Sequence, residues 1–96
     1  MRPSLALEGN RQAIREIVAR NRAANPRVFG SVARGEDVDG SDLDILVDAL
    51  PETTLFDLGG LHHELEELLG VKVDVVTEEG MRPRIRAKAL AEAQPL

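Results

Sequence analysis

Ser41-Asp42-Leu43-Asp44-Ile45-Leu46-Val47 is the stretch on which the reading of this chain turns. Side chains alternate across a strand, so Asp42 and Asp44 leave on one face while Leu43, Ile45 and Val47 leave on the other. Aspartate is a poor strand former, and inside an apolar strand its carboxylate has to be solvated or paired. The arrangement recurs at Val71-Lys72-Val73-Asp74-Val75-Val76, where one aspartate interrupts a valine run whose odd members face a core. If the two strands are neighbours, three carboxylates converge. Like charges ~4 Å apart repel by roughly 4 kcal/mol at an effective dielectric near 20. Three such pairs approach the whole stability of a small domain, about 5–15 kcal/mol. Lys72 shares the side of Asp74, but one ammonium does not neutralise three carboxylates. A divalent ion does, and Mg²⁺ suits the place because it takes a few carboxylates and keeps positions for water and phosphate oxygens. Paired aspartates at a strand start also occur as plain solvent-facing residues, with Asp42 a turn residue after Gly40-Ser41; the stretch alone leaves both readings open.

Upstream, Arg27-Val28-Phe29 is a short strand candidate running into Gly30-Ser31, with Ser31 placed to cap a helical turn that reaches Gly35. Glycine lets backbone approach a ligand closely, and the first amides of a turn favour an anion. The Ser31 hydroxyl adds a donor and Arg34, one turn on, adds positive charge. Alone, Gly-Ser is a weak motif whose ordinary work is capping. Farther out, Glu8 to Ala23 reads as a helix with Ile14, Ile17, Val18 and Asn21 on one stripe. Asn25-Pro26 stops it, since proline disfavours a helical residue before it.

Downstream, Leu55 to Leu69 is the strongest helix, with Leu58, Leu61, Leu65, Leu68 and Leu69 on one face and Gly70 as its C-terminal cap. Leu55, Phe56 and Leu58 are assigned to the core, an apolar edge for a partner being the alternative. Met81 to Ala93 is a closing helix with Pro83 in its first turn. The order αβ(α)βαβα predicts an α+β fold, a short three-stranded mixed sheet with helices packed on one face.

Ninety-six residues, 43% hydrophobic and 30% charged, suit a single folded domain over 1–96 rather than a disordered tail. No apolar run approaches the ~18 residues of a membrane span. Without cysteine there is neither a disulfide framework nor a thiolate metal site, which fits a reducing cytoplasm. Trp and Tyr are absent and Phe occurs twice, a composition that supplies no stacking platform for single-stranded nucleic acid. The net charge of −5 is unevenly spread: seven arginines face two glutamates over 1–35, fourteen acids face Lys72 over 36–79, and four bases face Glu92 over 80–96. An acidic middle between basic ends is a poor nucleic-acid grip, so direct nucleic-acid binding is not expected. It suits a site that holds divalent ions while basic groups approach phosphates around them.

Gly30-Ser31-Val32-Ala33-Arg34-Gly35, followed by Ser41-Asp42-Leu43-Asp44 and a third-strand Asp74, resembles the signature of the DNA polymerase beta superfamily of nucleotidyltransferases. Its shortest branch, the minimal nucleotidyltransferases, is most similar, and the resemblance runs over nearly the whole chain. It implies the polymerase beta palm-like fold. It also implies that Asp42 and Asp44 hold two Mg²⁺ ions with ATP and that Asp74 shares one ion and orients or deprotonates the acceptor hydroxyl. Gly30 and Ser31 would cradle the β- and γ-phosphates, and pyrophosphate would leave as AMP is transferred.

Minimal nucleotidyltransferases typically work beside a helical HEPN-domain protein as the antitoxin of a toxin–antitoxin pair, placing AMP on a tyrosine of that RNase. The expected partner here is therefore a HEPN-domain protein. The absence of Tyr agrees, since any such acceptor must lie on another chain. Alternatives are transfer to a small molecule such as an aminoglycoside, with a homo-oligomer completing the acceptor site, or a non-catalytic nucleotide-binding module. Other residues carry blander expectations: His62-His63 exposed or partner-facing, Glu64, Glu66 and Glu67 a solvated helix face, Asp48 and Glu78-Glu79 incidental, and Arg82, Arg84, Arg86 and Lys88 a solvated basic face.

Overall fold

The β-branched stretches pair into one mixed sheet with β2 (Leu43–Ala49) inside it, in a computed structural model that describes residues 1–96. β1 (Ala23–Phe29) runs antiparallel to β2 on one side, and β3 (Val73–Val76) runs parallel to it on the other. A parallel neighbour requires a crossover, and α4 (Leu55–Leu69) supplies it. Thr54 and Asp57 form a reciprocal capping box at its start, and Gly70 ends it at φ 68°, a left-handed conformation that costs glycine little. Both ends lie where the sequence puts them.

Helices α1 (Pro3–Glu8), α2 (Arg11–Arg20) and α4 pack on one face of the sheet. Their Leu7, Ile14, Val18, Leu61 and Leu65 meet Val28, Leu43, Ile45, Val47 and Val73 in a cluster of 14 buried residues. The odd-numbered residues of β2 and β3 thus form the core, as the alternation predicts. Glu64 is more than a solvated residue: it receives Arg20 and, at 2.9 Å, the Asn21 amide, tying α4 to the end of α2. No helix is long and apolar enough to cross a membrane.

Several details depart from the sequence reading. The helix expected over Glu8 to Ala23 is shorter, Arg11–Arg20, and the unpredicted α1 precedes it; the chain turns between them at Gly9-Asn10, where the Asn10 side chain donates back to the Ala6 carbonyl. β1 begins at Ala23 rather than Arg27: Asn25-Pro26 forms a bulge inside the strand, with Asn25 at φ 52°, instead of a break before it. β3 is confined to Val73–Val76. A two-residue strand, β4 (Gln94–Pro95), pairs with β1 and makes the sheet four-stranded, in the order β3-β2-β1-β4.

Nor do all helices share one face. After a 3₁₀ turn at Glu78–Gly80, α5 (Pro83–Glu92) crosses to the opposite face, where Leu46, Met81 and Ala89 are buried with Phe29 and Val76 against them. Leu46 is apolar at an even position, and that side chain is what calls for a cover. Leu55 and Phe56, expected in the core, are 86% and 92% exposed; the buried stripe of α4 starts with the partly buried Leu58, and Leu68 is also exposed.

Candidate active site

The face that α5 partly covers also carries the acids. In the register of the parallel pair, Asp44 lies beside Asp74 as Leu43 lies beside Val73 and Ile45 beside Val75. Asp42 is two residues before Asp44 on the same side of β2. Across the antiparallel pair Asp44 opposes Phe29, the last residue of β1. Three elements therefore bring Asp42, Asp44, Asp74 and Gly30 to one end of one sheet face.

None of the three aspartates has an ion-pair partner; the acids that do have one include Asp37, Asp39, Asp48, Glu64 and Glu92. Burial, and then the neighbouring carboxylates of Asp74, Asp42 and Glu92, push the Asp44 carboxyl up to about 6, against a smaller opposing pull from Arg34. A carboxylate set crowded enough to hold a proton near neutral pH, and lacking a cation of its own, fits a hard divalent ion. The side chains are not drawn into a ready-made cage: no three His, Asp or Glu stand close enough to grip an ion as they are. That suits Mg²⁺, which takes one or two protein carboxylates and fills its remaining positions with water and phosphate oxygens.

Gly30 follows β1 at φ 73° and opens α3 (Gly30–Ala33). A Cβ there would run into Asp44 Oδ2 and lie 3.1 Å from its Cγ, so only glycine lets this backbone pass beside the carboxylate. Ser31 lies inside the turn rather than capping it, the N-cap position being Phe29. Arg34 is at the right end of the sheet but is already engaged. Its Nε donates to Glu36 at 2.7 Å and its Nη1 to Glu92 at 2.9 Å, and both carboxylates hold the guanidinium above its usual range.

Two hollows flank this end. One, about 170 Å³, is lined by Phe29, Gly30, Arg34, Ile85, Lys88, Ala89 and Glu92. The other, about 320 Å³, lies at the β3 edge, lined by Asp42, His62, Glu66, Lys72, Val73 and Asp74. His62 is thus beside two of the acids, with its Nε2 3.3 Å from Glu66, whose carboxylate accepts from the Val73 amide at 2.9 Å. That hydrogen bond, with lesser help from His62 and Lys72, holds Glu66 below the usual carboxylate range. Glu66 is thus more than the solvated helix residue expected from sequence, and Glu92 is not singled out there at all. Glu92 had one signal, as the lone acid among four bases in the last stretch of chain.

The sequence pattern that defines the nucleotidyltransferase domain matches residues 11–96. The chain belongs to that family. It is an enzyme of the nucleotidyltransferase class and of the minimal type. A Methanocaldococcus jannaschii protein named as a candidate protein adenylyltransferase is 40% identical over 77 residues, 80% of this chain and 83% of that one. The protein adenylyltransferase MntA of Thermococcus cleftensis is 42% identical over 65 residues, 68% of this chain and 66% of that protein. A solved structure described as a candidate minimal nucleotidyltransferase superposes with a TM-score of 0.87 at 48% identity, over 97% of this chain and 95% of that one. At 19% identity, and so at the level of fold, the chain also resembles a solved complex of a tri-AMPylated Shewanella oneidensis HEPN toxin with its MNT antitoxin (TM-score 0.69, over 92% and 69%).

Proposed function

We propose that this nucleotidyltransferase moves AMP from ATP to a hydroxyl on a partner protein, a tyrosine of a HEPN-domain RNase toxin, and so acts as the antitoxin of the pair. The observation that carries the chemistry is the meeting of Asp42, Asp44 and Asp74 beside a glycine whose missing Cβ lets the turn pass directly against the Asp44 carboxylate. The names of the protein adenylyltransferases and the HEPN–MNT complex support the acceptor class. Asp42 and Asp44 would hold two Mg²⁺, with Asp74 sharing one, and the ions would supply Lewis-acid stabilisation to the attacking and leaving oxygens.

The remaining work falls to the chain. The Gly30 amide, the Ser31 hydroxyl and the Arg34 guanidinium bind the β- and γ-phosphates and hold the α-phosphorus over the aspartates. Asp74 faces the edge hollow, where an acceptor hydroxyl enters; its carboxylate orients that hydroxyl and takes its proton. The acceptor oxygen bonds to the α-phosphorus as the bond to the β-phosphate oxygen breaks, and pyrophosphate departs.

The test is transfer of label from α-labelled ATP with Mg²⁺ to the HEPN-domain product of an adjacent gene. Label on the partner that disappears with Asp42→Asn or Asp44→Asn is the expected result. Tight partner binding with no label from the wild type would instead make the chain a contact inhibitor.

A further inference from the structure

Glu92, the last residue of α5, puts its carboxylate on two of the groups that the phosphate seat depends on. Its Oε2 accepts from the Gly30 amide and from Arg34 Nη1 at 2.9 Å, and its Oε1 lies 3.1 Å from the same Arg34 nitrogen. By charge alone this is an unfavourable place for a fourth carboxylate, beside Asp44 and its neighbours. What holds it is a set of charge-assisted hydrogen bonds, about twice as strong as neutral ones. A terminal phosphate would use the same donors.

The helix that carries Glu92 is anchored by other contacts. Ala89 is buried with Leu46 and Met81, Arg86 donates to the carbonyls of Glu78 and Met81, and the Gln94 amide donates to the carbonyl of Ala33. The Glu92 side chain can therefore swing out by rotamer change while the backbone of α5 stays in place. Lys88, one helical turn earlier, lines the same hollow and offers incoming phosphates a second cation.

We infer that Glu92 is an internal stand-in for the terminal phosphates of the nucleotide, seated on Gly30 and Arg34 and displaced when a triphosphate binds. This rests on the reading of Gly30 and Arg34 as the phosphate seat. Two consequences follow. Apparent affinity for ATP is lowered by the fraction of time that Glu92 holds the seat. A nucleoside monophosphate carries only the phosphate that belongs over the aspartates, so it does not compete with Glu92 and gains nothing from its removal.

The test compares the full-length wild type with Glu92→Gln, Glu92→Ala and Arg34→Ala, measuring Kd for ATP and for AMP with Mg²⁺ by calorimetry, and thermal melts with and without ATP. Both Glu92 variants should bind ATP about tenfold more tightly, which corresponds to a seat open roughly a tenth of the time. AMP affinity should not change, and the rise in Tm on adding ATP should grow. Arg34→Ala should weaken ATP binding. If Arg34→Ala weakens ATP while the Glu92 variants bind it no better or worse, the stand-in is refuted and the seat remains. Equal tightening of ATP and AMP would refute it as well, by reducing Glu92 to a general negative charge. If ATP binding ignores all three changes, the phosphate-seat reading falls and the stand-in falls with it.

Discussion

On the face of the sheet under α1, α2 and α4, Val28, Leu43, Ile45, Val47 and Val73 belong to one unbroken cluster of 14 buried residues. On the other face burial stops at three residues, Leu46 of the sheet with Met81 and the α5 residue Ala89, and the remainder is given to Asp42, Asp44, Asp74 and the Gly30 turn. The same strand serves both faces by alternation. Stability is concentrated on one side and unfavourable charge on the other. A domain of 96 residues has little core to spare, so substitutions on the two faces should separate folding from catalysis.

The largest effect expected is on chemistry. Asp44→Asn should lower AMP transfer by on the order of a thousandfold without lowering the urea midpoint; a loss of fold in this variant would break the division between the faces. On the packed face Ile45→Ala should cost about 3–4 kcal/mol, with Tm falling ~4–8 °C per kcal/mol. Leu46→Ala, under the thinner cover of α5, should cost closer to 2 kcal/mol, both read from denaturant titrations. Equal losses at the two positions would mean that α5 packs as firmly as the main core.

Gly30→Ala tests the junction of the two. The left-handed φ adds about 1 kcal/mol of strain, and the new methyl pushes on Asp44. ATP affinity should fall about tenfold by calorimetry while the protein stays folded.

The pH dependence of the metal-free protein has a definite sign. The Asp44 carboxyl is raised to about 6 from an ordinary 3.8, so the folded chain binds more protons than the unfolded one between those values, and stability falls as pH rises through them. Asp44→Asn in EDTA should be no more stable than the wild type below pH 4 and more stable, by about 1–2 kcal/mol, above pH 7. A variant of unchanged or lower stability at pH 7.5 would show that the crowding of carboxylates is relieved by solvent. The smallest effect should come from Arg11→Ala, which removes an exposed ion pair to Glu8 at 2.8 Å, costs under about 1 kcal/mol and leaves transfer unchanged.

Much of this division is legible in single strands. A period of two sends Asp42 and Asp44 one way and Leu43, Ile45 and Val47 the other, and Gly70 marks the end of α4. That Asp74 stands beside Asp44 is not local information: it depends on the crossover and register of β3. Leu46, an apolar residue on the face of the aspartates, is buried beneath α5, and nothing in sequence names that helix as its cover. Asn25-Pro26 is an honest stop signal that the sheet absorbed as a bulge, because pairing on both sides of it outweighed local preference. Glu92 was out of reach for the same reason as Asp74, since its contact with Gly30 spans 62 positions.

The parallel pairing of β2 and β3 also governs how this chain tolerates change in length. Shifting β3 by one residue would turn Asp74 toward the core and bring Val73 and Val75 out among the carboxylates. The short turn after Gly70 is held from both directions, by the Leu43 amide on the Lys72 carbonyl and by Glu66 on the Val73 amide. A one-residue insertion between Gly70 and Val73 therefore should not yield a folded but inactive protein. It should remove core and chemistry together, which leaves this turn closed to insertions and deletions even where its individual side chains are free to vary.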